Sequence, residues 1–85
     1  MYNIEITSSA SKQLKKIFIE YRKGIVSKIE DLADNPHPPG SKKLRGSEYF
    51  RIRVGDYRIV YSIYEKDIKI VIVRIGHRKE VYKKL

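Results

Sequence analysis

The segment RIRVGDYRIVY, residues 51–61, carries three arginines, Arg51, Arg53 and Arg58, around a Gly55-Asp56 pair. Guanidinium groups are planar donor forks that match phosphate oxygens and keep their charge at any accessible pH. Two apolar-rich runs separated by Gly-Asp read as a β-hairpin with a two-residue turn. In that register Val54 faces Tyr57, Arg53 faces Arg58 and Arg51 faces Val60. Side chains alternate along a strand, so all three arginines project from one face. Like charges directly opposite one another destabilise a hairpin. Solvent screening lowers that cost, but three guanidiniums on one rigid face, with lysines nearby, form a preorganised anion site whose repulsion a phosphate would relieve.

A second constellation is GHRKEVY, residues 76–82. His77 is the residue type most easily poised for proton transfer near neutral pH, and Tyr82 can donate a proton or stack on a base. Singly, each is more often structural. Other chemistries find no support. His37 and His77, with no cysteine, leave no zinc set. No glycine-rich phosphate loop joins a strand to a helix. Ser8, Ser9 and Ser11 lie where helix caps lie, the carboxylates are scattered, and Pro38-Pro39-Gly40 reads as a loop stiffener.

The charge distribution agrees with an anionic partner. The 85 residues carry a formal net charge of +9 and a pI near 9.9. Residues 1–40 hold six Lys/Arg and five Asp/Glu, and residues 41–85 hold thirteen and five, so the surplus is +1 in one part and +8 in the other. A one-sided surplus suggests a positive face for nucleic acid, an acidic protein, or both. No run approaches the ~20 apolar residues of a membrane helix, and no basic amphipathic helix suggests a membrane surface. The start, MYNIEITSSA, lacks the pattern of a signal peptide. Cytoplasmic is the expected location, and residues 1–85 are expected to form one small domain.

These residues need elements to position them. Tyr2–Thr7 alternates and reads as a strand. Ser8 and Ser9 then offer an N-cap. Ala10, Leu14, Ile17, Phe18 and Tyr21 recur at helical spacing, Gly24 interrupts, and Ile25, Ile29, Leu32 and Ala33 follow. That pattern fits a helical hairpin or one helix kinked near residues 18–24. Asn35-Pro36 stops it. Lys43–Arg45 suggests a short edge strand, and Tyr49–Val54 with Tyr57–Tyr64 forms the hairpin. Ile68–Ile75, almost wholly apolar, suits a central strand that Gly76 ends. Lys79–Leu85 suggests a terminal helix. The expected fold is α+β: a short N-terminal strand, a helical hairpin, then a mostly antiparallel twisted sheet with helices on one face. Phe50, Ile52, Val54, Tyr57, Ile59, Tyr61 and Ile63 would meet the helices, with the arginines outside.

Taken together, the Pro36–Gly40 loop, KKLRG (residues 42–46), YFRIRVGDYRIVY (49–61) and IGHRKEVY (75–82) resemble the RelE/ParE superfamily of toxins from toxin–antitoxin pairs. The resemblance spans almost the whole chain. It implies the same fold and, for RelE-type members, a metal-free and cofactor-free endoribonuclease that cuts messenger RNA in the ribosomal A site. The messenger's 2′-hydroxyl attacks the adjacent phosphate, leaving a 2′,3′-cyclic phosphate and a 5′-hydroxyl. By motif the catalytic set falls on Arg51, Arg53, Arg58, Arg78 and Tyr82. Lys42, Lys43, Arg45, His77 and Lys79 are the expected flanking RNA contacts.

Arg58 and Arg78 would stabilise charge on the phosphoryl oxygens, while Arg51 and Arg53 would hold the backbone. Related toxins often carry lysine at those last two positions. Arginine cannot serve as a base, so the base must be found elsewhere; His77 reaches the site only if Gly76 breaks the strand. The resemblance also implies an antitoxin with an acidic or extended segment, and contact with operator DNA only through it. A ParE-like gyrase inhibitor and an inert antitoxin-binding homologue are the alternatives.

Overall fold

The computed structural model describes residues 1–77. Its elements run β1 (Asn3–Ile6), α1 (Ser8–Lys15), α2 (Ile19–Asp34), β2 (Lys42–Lys43), β3 (Phe50–Val54), β4 (Tyr57–Tyr64) and β5 (Lys69–His77). The five strands form one sheet in the order β1-β5-β4-β3-β2. All neighbours are antiparallel except β1 and β5, which run parallel. The α+β expectation is thus met, with β5 an interior strand beside the edge strand β1 and β4 in the middle. Among the described residues no helix is long and apolar enough to cross a membrane.

The helices cover one face. Ala10, Ile17, Ile25, Ile29 and Leu32 pack against Ile52, Ile59, Tyr61, Ile70, Ile72 and Ile75, all buried. Phe50, Val54, Tyr57 and Ile63 join this cluster, so the apolar face of the hairpin meets the helices. Burying these branched side chains, at about 1.5–3 kcal/mol each, is the main force holding the sheet to α1 and α2.

Several boundaries differ from the sequence expectation. Thr7, not Ser8 or Ser9, caps α1: its Oγ1 accepts the Ala10 N–H at 3.1 Å. The helical hairpin bends at residues 16–18, where the Lys16 N–H closes on Gln13 and the Ile17 N–H on Leu14. Gly24 does not break a helix but lies inside α2, where a Cβ would sit 3.6 Å from Val54 Cγ1. The helix is therefore seated low over β3. Strand β5 begins at Lys69 because Ile68 adopts a left-handed φ of 49° at the end of the Glu65–Asp67 turn, a costly conformation for a β-branched residue. The edge strand is Lys42–Lys43 rather than Lys43–Arg45. Gly76 does not end β5, which continues to His77. The expected helix over 79–85 lies outside the described residues.

Candidate nucleic-acid interface

The hairpin has the register that its turn requires. Gly55 takes a φ of +59°, as the first residue of a tight hairpin turn must. Val54 pairs with Tyr57, Arg53 with Arg58 and Arg51 with Val60. Hydrogen bonding further defines these pairs. The Leu44 N–H donates to the Tyr49 carbonyl at 2.8 Å, and bonded and non-bonded pairs alternate along an antiparallel ladder. Lys42 and Arg51 are then a bonded pair, so β3 turns the amides of Arg51 and Arg53 toward β2 and away from β4. Across β3 and β4, Arg53 and Arg58 form a non-hydrogen-bonded pair, the kind whose Cα atoms approach to about 4.5 Å with side chains close.

The neighbouring strands extend this into two rows on the face away from the helices. One row runs Lys42, Arg51, Val60, Arg74, and the other runs Arg53, Arg58, Gly76. The first places three cations around a fully buried valine. Arg74 did not emerge from the sequence as a site residue. By simple alternation it would follow Ile70 and Ile72 into the core. A bulge shifts the β4–β5 register between Val60 and Tyr61, with Tyr61 opposite Ile72 and Val60 opposite Arg74. Val73 is the additional residue. Parity reverses after it, so Ile75 enters the core and Arg74 turns outward. The only usable signal was the lone arginine within an apolar run.

Helix α1 and its cap hold the bulge. Beyond Ile72, β1 no longer pairs with β5, leaving backbone groups to be satisfied. Thr7 Oγ1 donates to the Val73 carbonyl at 3.1 Å, and Gln13 Oε1 accepts the Ile75 N–H at 2.8 Å. Two polar side chains thus stabilise the strand distortion that aims Arg74.

Arg51 turns toward the edge of the sheet, where one guanidinium nitrogen donates to the Gly40 carbonyl at 3.2 Å. The loop presenting that carbonyl is anchored from beneath. The Tyr61 hydroxyl donates to the Pro36 carbonyl at 2.8 Å, His37 lies edge-on to Phe50, and Phe50 stacks on Tyr61. Burial holds the Tyr61 hydroxyl above its ordinary pKa, partly offset by a hydrogen bond with Ser41. The proline loop is therefore built into the sheet edge as well as being stiff.

The two rows contain no carboxylate and no imidazole. Arg51, Arg53 and Arg74 have no acidic partner among the described residues, and the ion pair of Glu5 with Lys69 lies at the opposite edge of the sheet. The Nε of Arg74 is buried without a hydrogen-bond acceptor among the described residues. Such a surface attracts and orients anions, and its fixed cations can stabilise charge developing on a phosphoryl group. Among the described residues it supplies no base.

Of the expected site residues, Arg51, Arg53, Arg58 and Lys42 share this face. Lys43 pairs with Phe50 on the alternate parity, and Arg45 lies beyond β2 near the Gly46 turn. His77 is on the other side: it pairs with Tyr57, whose ring it meets edge-on at 5.4 Å between centroids. Because the strand continues through Gly76, the condition for His77 to join the arginines is not met. Arg78, Lys79 and Tyr82 lie outside the described residues. Among those described, no cluster of three or more His, Cys, Asp or Glu is arranged to hold a metal.

Residues 4–82 match the family model described as the ParE toxin of type II toxin–antitoxin systems. RelE1 of Methanocaldococcus jannaschii is 35% identical over 86 residues, with 96% of each chain covered. Among solved structures, the chain resembles the RelBE2 toxin–antitoxin complex of Mycobacterium tuberculosis with a TM-score of 0.81 and 30% identity, covering 91% of this chain and 98% of that one. It also resembles the archaeal RelE–RelB complex of Pyrococcus horikoshii, with a TM-score of 0.82 and 27% identity over 92% and 96% of the two chains.

Proposed function

The chain belongs to the RelE/ParE superfamily as a toxin of type II toxin–antitoxin systems, and on that premise we propose that it is an endoribonuclease that cleaves messenger RNA in the ribosomal A site. The observation that carries this reading is the outward pair of cross-strand rows, which brings Arg51, Arg53, Arg58 and Arg74 onto one face of the sheet. A surface built only to keep the protein hydrated would not need guanidiniums face to face in a non-hydrogen-bonded pair.

In the proposed reaction the 2′-oxygen of one nucleotide attacks the adjacent phosphorus. The P–O5′ bond breaks, leaving a 2′,3′-cyclic phosphate and a 5′-hydroxyl. Negative charge grows on the non-bridging oxygens, and Arg58, with Arg78, opposes it. Arg51 and Arg53 hold the flanking backbone and favour ionisation of the 2′-hydroxyl. Arg74 adds a further cation to the row that Arg51 begins. Tyr82 stacks on a base or protonates the leaving oxygen. The proton from the 2′-hydroxyl passes to solvent or to a group outside the two rows.

A cognate antitoxin is the expected protein partner, since related toxins are found in complexes with theirs. An acidic segment would be steered to the positive face. The match to a ParE model supports a second reading, gyrase inhibition by binding alone. Mapping RNA ends on stalled ribosomes separates the two. A-site cleavage that is lost in Arg58→Ala and Arg78→Ala supports the nuclease. Uncut message, together with gyrase inhibition, supports the binder.

A further inference from the structure

The edge of the sheet carries a cluster of cations that borders the arginine rows. A cleft of about 250 Å³ opens between α2, the proline loop and β2, lined by Lys28, Pro39, Gly40, Lys42, Arg51 and Arg53, with Ile52 at its base. Its charged lining comprises four cations and no acid. Lys28 comes from α2, on the opposite layer from the sheet's outer face, and is half-buried with no ion-pair partner among the described residues. A half-buried, uncompensated lysine loses hydration and gains no counter-charge from the protein, so an arriving anion is favoured there.

The backbone points to the same ligand. β2 pairs only with Phe50 and Arg51, yet the alternation of the ladder directs the Arg53 N–H to this side as well. Among the described residues no strand lies opposite it, which makes this N–H a donor at the sheet edge that borders the cleft. Arg53 is shared: its side chain lines the cleft while its pair partner Arg58 stands in the second row. An anion in the cleft and one over Arg58 would lie roughly one to two strand spacings apart, on the order of 5–10 Å.

We propose that this cleft binds a backbone phosphate of single-stranded RNA next to the scissile one, with Lys28 as its helix-borne contact. The proposal rests on the reading of RNA as substrate. Phosphate is favoured over the carboxylates of an acidic peptide because Arg53 makes the cleft continuous with the Arg58 row, as a repeating phosphate chain requires.

The test is fluorescence anisotropy with a short single-stranded RNA carrying 2′-O-methyl groups, which binds but cannot be cut. Lys28→Ala is compared with Lys28→Arg and with Lys23→Ala elsewhere on α2, after circular dichroism confirms folding. Alanine suits a helix, so the fold should persist. Loss of one phosphate contact should weaken binding about threefold to tenfold at low salt and reduce the salt slope by about 0.7. Lys28→Arg should retain binding, and Lys23→Ala should leave the slope unchanged.

Equal effects of Lys28→Ala and Lys23→Ala would overturn the proposal, as would an absence of RNA binding by the unsubstituted chain. Loss of binding to a Glu-rich peptide but not to RNA would reassign the cleft to an acidic protein. Because the RNA cannot be cut, a Lys28 effect without any nuclease activity on natural RNA would retain the cleft and remove the nuclease reading.

Discussion

Arg53 and Arg58 stand directly opposite one another across the β3–β4 hairpin, in a pair that exchanges no backbone hydrogen bonds. Such opposition costs stability unless an anion lies between the two. Replacing Arg53 with threonine, a good strand residue, should stabilise the isolated protein by roughly 0.2–1 kcal/mol. Added salt should diminish that gain, because it already screens the repulsion. The same variant should lose RNA cleavage. Urea unfolding at low and high salt, beside a cleavage assay, checks both. Destabilisation at low salt would show that the pair is not strained.

Arg74 provides a test of the face that the bulge builds. Arg74→Met retains much of the side chain's length and removes the charge. It also removes a buried Nε with no acceptor among the described residues, so stability should rise by about 1 kcal/mol. RNA binding should weaken and its salt slope should fall by about 0.7. A slope equal to that of the unsubstituted chain would remove Arg74 from the interface.

Gln13 should matter out of proportion to its distance from the arginines. Gln13→Ala leaves the Ile75 N–H without its acceptor, at a cost of about 1–3 kcal/mol. Gln13→Glu keeps an oxygen in place and should restore most of the loss. Hydrogen exchange at Ile75 reads the bond directly: faster exchange in the alanine variant and protection in the glutamate variant are the expected pair.

Gly24→Ala should stabilise the chain. The new methyl group would meet Val54 at an ordinary contact distance of 3.6 Å, and alanine gains up to about 1 kcal/mol over glycine inside a helix. For a domain of this size that corresponds to a rise of roughly 4–8 °C in Tm. A fall in Tm would mean that α2 cannot yield even the small space the methyl group needs.

Alkaline pH should loosen the loop beneath Arg51. Burial raises the Tyr61 pKa above the ordinary value of about 10 for a tyrosine hydroxyl. A raised pKa contributes stability that is complete below the unfolded value and is lost as pH rises through the folded one. Unfolding free energy should therefore fall above about pH 10. Tyr61→Phe should flatten that decline, at a neutral-pH cost of about 1 kcal/mol for the hydrogen bond to Pro36. An unchanged alkaline slope would dissociate Tyr61 from it.

Local chemistry made much of this protein legible from its residues. Gly55-Asp56 sets a two-residue turn, and with a period of two the turn alone decides that Arg51, Arg53 and Arg58 share a face. Spacing likewise placed Ile25, Ile29 and Leu32 on the buried side of α2. Helix ends were less legible, because Thr7 and the serines after it are all competent caps, and only the chain's path out of β1 selects Thr7.

Tertiary structure decided the rest. The bulge at Val73 reverses parity within β5, turning Arg74 outward while His77 remains on the side of Tyr57. Its loose backbone groups are satisfied by Thr7 and Gln13, both more than sixty residues away in sequence, so no local pattern could announce it. Lys28 meets Arg51 and Arg53 because α2 folds over β3. Alternation is a property of one strand, but a bulge and a cleft depend on which elements lie beside it.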